Sequence, residues 1–136
     1  MTFEELLDMV KDEDYTLDLD EGQVELHYAG DEFILATIGL GDVPDEMFAK
    51  ICRDMIVANH MFQGTAGATL SLEPGTHRAY LHRLFCMPVE REEGFLNHLA
   101  VLIRNAGEWK ERISGSGADE PLLQEPMLDS NFFIRV

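Results

Sequence analysis

Positive charge is what this sequence has least of. Ten Lys and Arg stand against 26 Asp and Glu, so the formal net charge is 10 − 26 = −16. Such a surface repels phosphates, which excludes a nucleic-acid binder that works by neutralising a backbone. It equally disfavours adsorption to an anionic membrane leaflet. No apolar run approaches the roughly 20 residues of a membrane-crossing helix. The chain opens Met1-Thr2-Phe3-Glu4-Glu5, acidic where a signal peptide would be basic and then apolar. These absences set the expectation of a soluble, cytoplasmic protein without membrane insertion. Cysteine is scarce too: there are 2, Cys52 and Cys86, without Cys-x-x-Cys spacing. In a reducing compartment such a pair reads as packed thiols, with no bridge or metal site.

Catalytic signatures are also missing. The 5 histidines (His27, His60, His77, His82, His98) form no His-x-x-x-His pair, and His77 and His82 fall on opposite faces of an expected strand. The run Gly64-Thr65-Ala66-Gly67-Ala68-Thr69 superficially resembles a phosphate loop. It lacks the Gly-Lys-Ser/Thr ending and leads into a strand pattern, where a phosphate loop leads into a helix. Ser71 has no Gly-x-Ser-x-Gly elbow, and neither cysteine has a catalytic neighbourhood. The residues therefore predict no enzyme, with no catalytic residue, metal site or cofactor.

What the sequence does have is apolar patterning. Hydrophobic residues make up 46% of 136, enough for one core and one domain. Phe3, Leu6, Leu7 and Val10 form an i, i+3, i+4, i+7 stripe, with Thr2 and Glu5 spaced as a capping box. Tyr15, Leu17 and Leu19 alternate with polar residues, as do Val24, Leu26 and Tyr28 beyond the turn at Asp20-Glu21-Gly22. Residues 33–38 are apolar on both faces and predict the most buried of three meandering strands. A second helix is expected over 43–62, with Asp42 as N-cap, Pro44 in the first turn and Gly64 as stop. Two more strands are expected at 68–72 and 77–87, around a type II turn at Glu73-Pro74-Gly75-Thr76. A last helix starts near Val89 and carries Phe95, Leu99, Leu102, Ala106 and Trp109. The order α-β-β-β-α-β-β-α predicts an α+β fold, an antiparallel five-stranded sheet flanked by three helices, over residues 1–113. Residues 114–136 read as a flexible linker and C-terminal tail ending Phe132-Phe133-Ile134-Arg135-Val136.

Two features point to binding. There are 7 methionines, which suit adaptable apolar surfaces although most such residues fill cores. There is also more apolar stripe than about 110 ordered residues can readily enclose. Residues 1–32 hold 12 acids and one base (1 − 12 = −11), which is a solvated face or a steering field for a cationic partner. Apolar residues cover more than half the circumference of the 43–62 helix. Periodicity alone allows either a self-association face or a deeply buried core helix.

The segments Ala58-Asn59-His60, Thr65-Ala66-Gly67-Ala68-Thr69-Leu70-Ser71-Leu72, Tyr80-Leu81, Phe95-Leu96-Asn97-His98-Leu99 and Ala106-Gly107-Glu108-Trp109 together resemble the class I type III secretion chaperones, the Tir-chaperone-like proteins. The likeness spans about residues 2–113, and the acidity and element order agree with it; the longer apolar tail departs from it. The resemblance implies a non-enzymatic homodimer that binds the N-terminal segment of a secreted effector protein and keeps it extended and secretion-competent. It implies a dimer interface on the second helix and neighbouring sheet, at Ile51, Met55, Ile56 and Leu70. The apolar stripe Phe3, Leu6, Leu7 and Val10, with Tyr15 and Leu17, would then line the effector-binding groove. The same stripe could be consumed wholly by packing on the sheet. A dimeric adaptor or regulatory binding protein of similar fold, without a secretion client, fits the same residues, and a small-ligand enzyme fits them least.

Overall fold

The computed structural model describes residues 2–30, 32–87 and 91–115. Its elements run α1 (Phe3–Asp12), β1 (Tyr15–Leu19), β2 (Gly22–Ala29), β3 (Phe33–Asp42), α2 (Phe48–Asn59), β4 (Thr69–Leu72), β5 (Arg78–Cys86) and α3 (Glu92–Ile113). Short 3-10 turns, Asp45–Met47 and His60–Phe62, bracket α2. The strands form one antiparallel five-stranded sheet in the order β1-β2-β3-β5-β4. This is the expected α+β class and element order. The expected linker and tail lie, beyond Gly115, outside the described residues.

Local chemistry sets the first element. The Thr2 hydroxyl accepts from the Glu5 amide at 3.1 Å, and the Glu5 carboxylate accepts from the Thr2 amide at 3.0 Å. This capping box satisfies donors that a helix start otherwise leaves orphaned. A ten-residue helix is marginal alone, so α1 depends on burying Leu6 and Val10 against the sheet. The long helix α3 lies over β3, and Phe95, Leu99, Leu102, Ala106, Trp109 and Ile113 enter the same core. Alternation in the central strands sends Val24, Leu26, Ile34, Ala36, Ile38 and Leu81 into that core. The opposite face carries Glu25, Thr37, His82, Leu35 and Leu84.

Two boundaries differ from the sequence reading. β3 does not end at Ile38 but continues through a bulge at Gly39/Gly41 to Asp42, keeping Leu40 buried. Val43 then donates to the His77 carbonyl at 2.8 Å, which extends the ladder past the strand end. Asp42 is therefore strand backbone and not a helix cap. Pro44 is extended and starts the 3-10 turn, so α2 begins only at Phe48. The expected turn at Pro74-Gly75 is present: Thr76 donates to the Glu73 carbonyl at 3.1 Å, and Gly75 takes φ +77°.

The chain leaves α2 through an unusual corner. Met61 and Phe62 adopt φ 52° and 60°, a left-handed conformation that bulky side chains rarely accept. Three contacts hold them there. The Gly64 amide donates to the Ala58 carbonyl at 3.0 Å, and the Trp109 indole donates to the Gly64 carbonyl at 3.1 Å. Arg112 reaches Asp54 of α2 at 3.3 Å, with both side chains mostly buried. Gly64 has no room for a side chain, because a Cβ there would sit 2.7 Å from the Ala58 Cβ. The end of α2 is thus pinned to the end of α3, and the corner's apolar side chains are held outward.

Candidate functional site: an apolar helix face and a free sheet edge

Four of the five large hydrophobics exposed among the described residues fall within seven positions: Ile56, Val57, Met61 and Phe62. Ile56 is 71% exposed and Phe62 is 49% exposed. Clustered exposure of this kind marks an interaction surface far better than scattered single residues do. Beside it, α2 and β4 border a cleft of about 220 Å³ lined by Cys52, Met55, Ile56, Asn59, Leu70 and Leu72, with Ser71.

Asn59 gives this side of the sheet its shape. Its side-chain amide donates to the Leu70 carbonyl at 3.0 Å and accepts from the Leu70 amide at 2.8 Å. Both backbone groups of Leu70 point away from β5, so one side chain does at that residue what a neighbouring strand would do. The β4 edge is blunted there, as sheet edges must be if they are not to pair with other chains. At the other end of the sheet, β1 pairs only with β2. Its outer edge has no strand against it among the described residues.

The proposed site residues separate by burial. Met55, Ile56 and Leu70 meet around the α2/β4 cleft, while Ile51 lies behind it in the core. Met55 and Leu70 show little surface within one chain, so Ile56 is the exposed member of the set. In the other group, Leu6 and Val10 are fully committed to the core. Phe3, Leu7, Tyr15 and Leu17 are half-buried against it, leaving part of each side chain outside. Glu4, Glu5, Asp8, Asp12, Glu13 and Asp14 surround them, all exposed. Periodicity flagged both stripes but could not divide them into inner and outer residues. Val57, inside α2, was not singled out as a surface residue, nor were Met61 and Phe62, because a left-handed corner leaves no periodic trace.

Among the described residues no group of three His, Cys, Asp or Glu is placed to hold a metal ion. Burial pushes the Cys52 thiol up, away from the reactive thiolate. Cys86 is exposed, contrary to the packed thiol expected, because it ends β5 beside Phe33 at the sheet margin. No described helix is long and apolar enough to cross a membrane.

Among the described residues, this α+β domain presents an apolar helix face and an unpaired strand edge, the surfaces on which another protein docks. The chain belongs to the Tir chaperone protein (CesT) family, whose profile matches residues 7–110. It is a type III secretion chaperone, a binding protein for effectors and not an enzyme. Among the solved structures that share the fold are two complexes. The crystal structure of the ExsC-ExsE complex aligns with TM-score 0.54 at 16% identity, covering 74% of this chain and 75% of that one. The heterodimeric ExoU-SpcU complex from the type III secretion system of Pseudomonas aeruginosa aligns with TM-score 0.52 at 20% identity, covering 83% of this chain and 84% of that one. At such identities the likeness speaks for the fold alone. No curated protein matches the sequence.

Proposed function

We propose that this protein is a cytoplasmic homodimer that binds the N-terminal segment of a secreted effector and keeps it extended for export. The observation that carries the client site is the outer edge of β1, unpaired among the described residues and flanked by the half-buried Phe3, Leu7, Tyr15 and Leu17. An extended client segment can add there as a strand. Main-chain hydrogen bonds would supply affinity, and alternate apolar side chains would supply selectivity. The β4 edge is a poorer acceptor because Asn59 already satisfies Leu70. The acids around α1 keep the empty groove soluble and steer a basic client. The complexes named ExsC-ExsE and ExoU-SpcU agree with a chaperone of this fold holding a protein partner.

The dimer is assigned to the α2 face, with Ile56 at its centre and the α2/β4 cleft beside it. Burying this face in two copies would bring the contact above roughly 1,000 Å², the usual threshold for a specific interface.

Leu7 and Leu17 distinguish the client site from the core, because both keep exposed surface that Leu6 and Val10 lack. Leu7→Asp and Leu17→Asp are expected to weaken client binding by at least tenfold, about 1.4 kcal/mol, while the chain stays a folded dimer. Glu4→Gln and Glu5→Gln should mainly slow association at low salt. Titration calorimetry and stopped-flow mixing with the co-purified client check this. Unchanged affinity in folded Leu7→Asp and Leu17→Asp dimers would move the groove elsewhere.

A further inference from the structure

Arg83 is the unexplained charge in this molecule. It lies on β5 opposite Ala36 of β3 and is partly buried. Its guanidinium sits over the Phe85 ring at 5.3 Å, and Phe85 in turn packs edge-on against Phe95 at 4.8 Å. A Cβ at Gly67 would come within 3.3 Å of one guanidinium nitrogen, so the loop before β4 lies close against it. The His98 ring of α3 stands 6.2 Å from Phe85 on the same flank.

Five N–H donors are gathered here, only partly open to water, with no protein acceptor among the described residues. Arg83 makes no hydrogen bond or ion pair among the described residues. Arg78 meets Asp42 and Glu73, and Arg112 meets Asp54. Arg53, Arg91 and Arg104 are exposed, where water serves them. A chain with 26 acids and 10 bases could readily have supplied Arg83 with a carboxylate. Taking a cation out of water without a counter-charge is costly unless something else repays it. Burial disfavours the charged form of Arg83, and the His98 imidazole is pushed down by its own burial and by the nearby guanidinium.

We propose that Arg83, floored by Phe85 and flanked by His98 and the Gly67 loop, is a receptor for a single carboxylate presented by a bound partner. The planar fork of a guanidinium matches a carboxylate through two parallel charge-assisted hydrogen bonds. The chain's net charge of −16 disfavours a doubly charged phosphate more than a single carboxylate. The source of the carboxylate, an Asp or Glu of an extended client, rests on the chaperone reading; the site itself does not. Such a contact would give an acidic protein a local means of choosing among clients drawn in by their positive charge.

The test uses the full-length, isotope-labelled chain and two isosteric probes, N-acetyl-aspartate N-methylamide and its asparagine analogue, at matched ionic strength. Titration with the aspartate probe should move the Arg83 Nε–Hε signal and the His98 ring signals saturably. The asparagine probe should bind at least about tenfold more weakly, the value of one charge-assisted hydrogen bond. In Arg83→Gln the response of His98 should vanish. Should that variant fail to fold, the comparison of the two probes on the unaltered chain still decides. Equal responses to the two probes, an Arg83 signal that ignores both, or a stronger response to inorganic phosphate would each overturn the assignment. None of these outcomes bears on whether the protein binds an effector.

Discussion

Replacing Ile56 with aspartate is expected to turn the proposed dimer into a monomer without unfolding it. The side chain is 71% exposed within one chain, so the substitution costs the isolated fold little. In a two-fold interface the same residue appears twice. Burying an unpaired carboxylate at a hot spot costs about 2 kcal/mol or more per copy, so association should weaken about a thousandfold. Sedimentation velocity at micromolar concentration reads the change directly, and the circular dichroism spectrum should remain native. Met55→Glu makes an instructive contrast. Met55 is nearly enclosed by its own chain, so a carboxylate there strikes core and interface together. A monomer or an aggregate is expected from it, with lost stability in either case. A fully dimeric Ile56→Asp protein would remove the α2 face from the interface.

The second large effect is expected at Trp109. The indole is buried, and its N–H holds the Gly64 carbonyl at 3.1 Å. Trp109→Ala should lower stability by about 3–5 kcal/mol, through lost apolar burial and the cavity left behind. That is a large share of the 5–15 kcal/mol typical of a domain, so much of the protein should unfold at 37 °C. Trp109→Phe keeps most of the ring and removes the donor, and should cost about 1–3 kcal/mol by orphaning the carbonyl. The two variants share one further consequence. Without the indole bond, the left-handed corner at Met61 and Phe62 loses its anchor, and the exposed apolar face should lose its fixed shape before the sheet melts. Urea unfolding followed by circular dichroism checks the order of effects, and a Trp109→Ala protein as stable as the parent would contradict it.

Much of this architecture was legible because its causes are local. The Thr2/Glu5 box, the alternation around Leu17 and Val24, and the Pro74-Gly75 turn each depend on residues a few positions apart. The structure holds all three. The errors arose where distant contacts override local signals. Asp42 and Pro44 have the look of a helix start, yet the Val43 amide is claimed by His77, 34 positions later, and the helix waits until Phe48. Burial was legible only as a stripe. Leu6 and Leu7 are equivalent in pattern, and the sheet surface alone decides that Leu6 is enclosed and Leu7 is half outside. Asn59 and Trp109 were noticed as parts of a resemblance without a reason attached. The reasons are geometric: one occupies the polar groups of a strand edge, the other ties two helix ends together. Arg83 could not be singled out at all, since the lack of a partner among the described residues is visible only once those residues are placed.

The most direct test of the chaperone function is capture from the native host, followed by protease mapping of the captured protein on and off the chaperone. The expected result is a small set of proteins, each protected by the chaperone over a segment within about its first hundred residues. That segment should lack a fold of its own, and protection should disappear in Leu7→Asp dimers. Capture of a compact, folded partner at fixed stoichiometry, with no protected N-terminal segment, would contradict the assignment and favour an adaptor of the same fold.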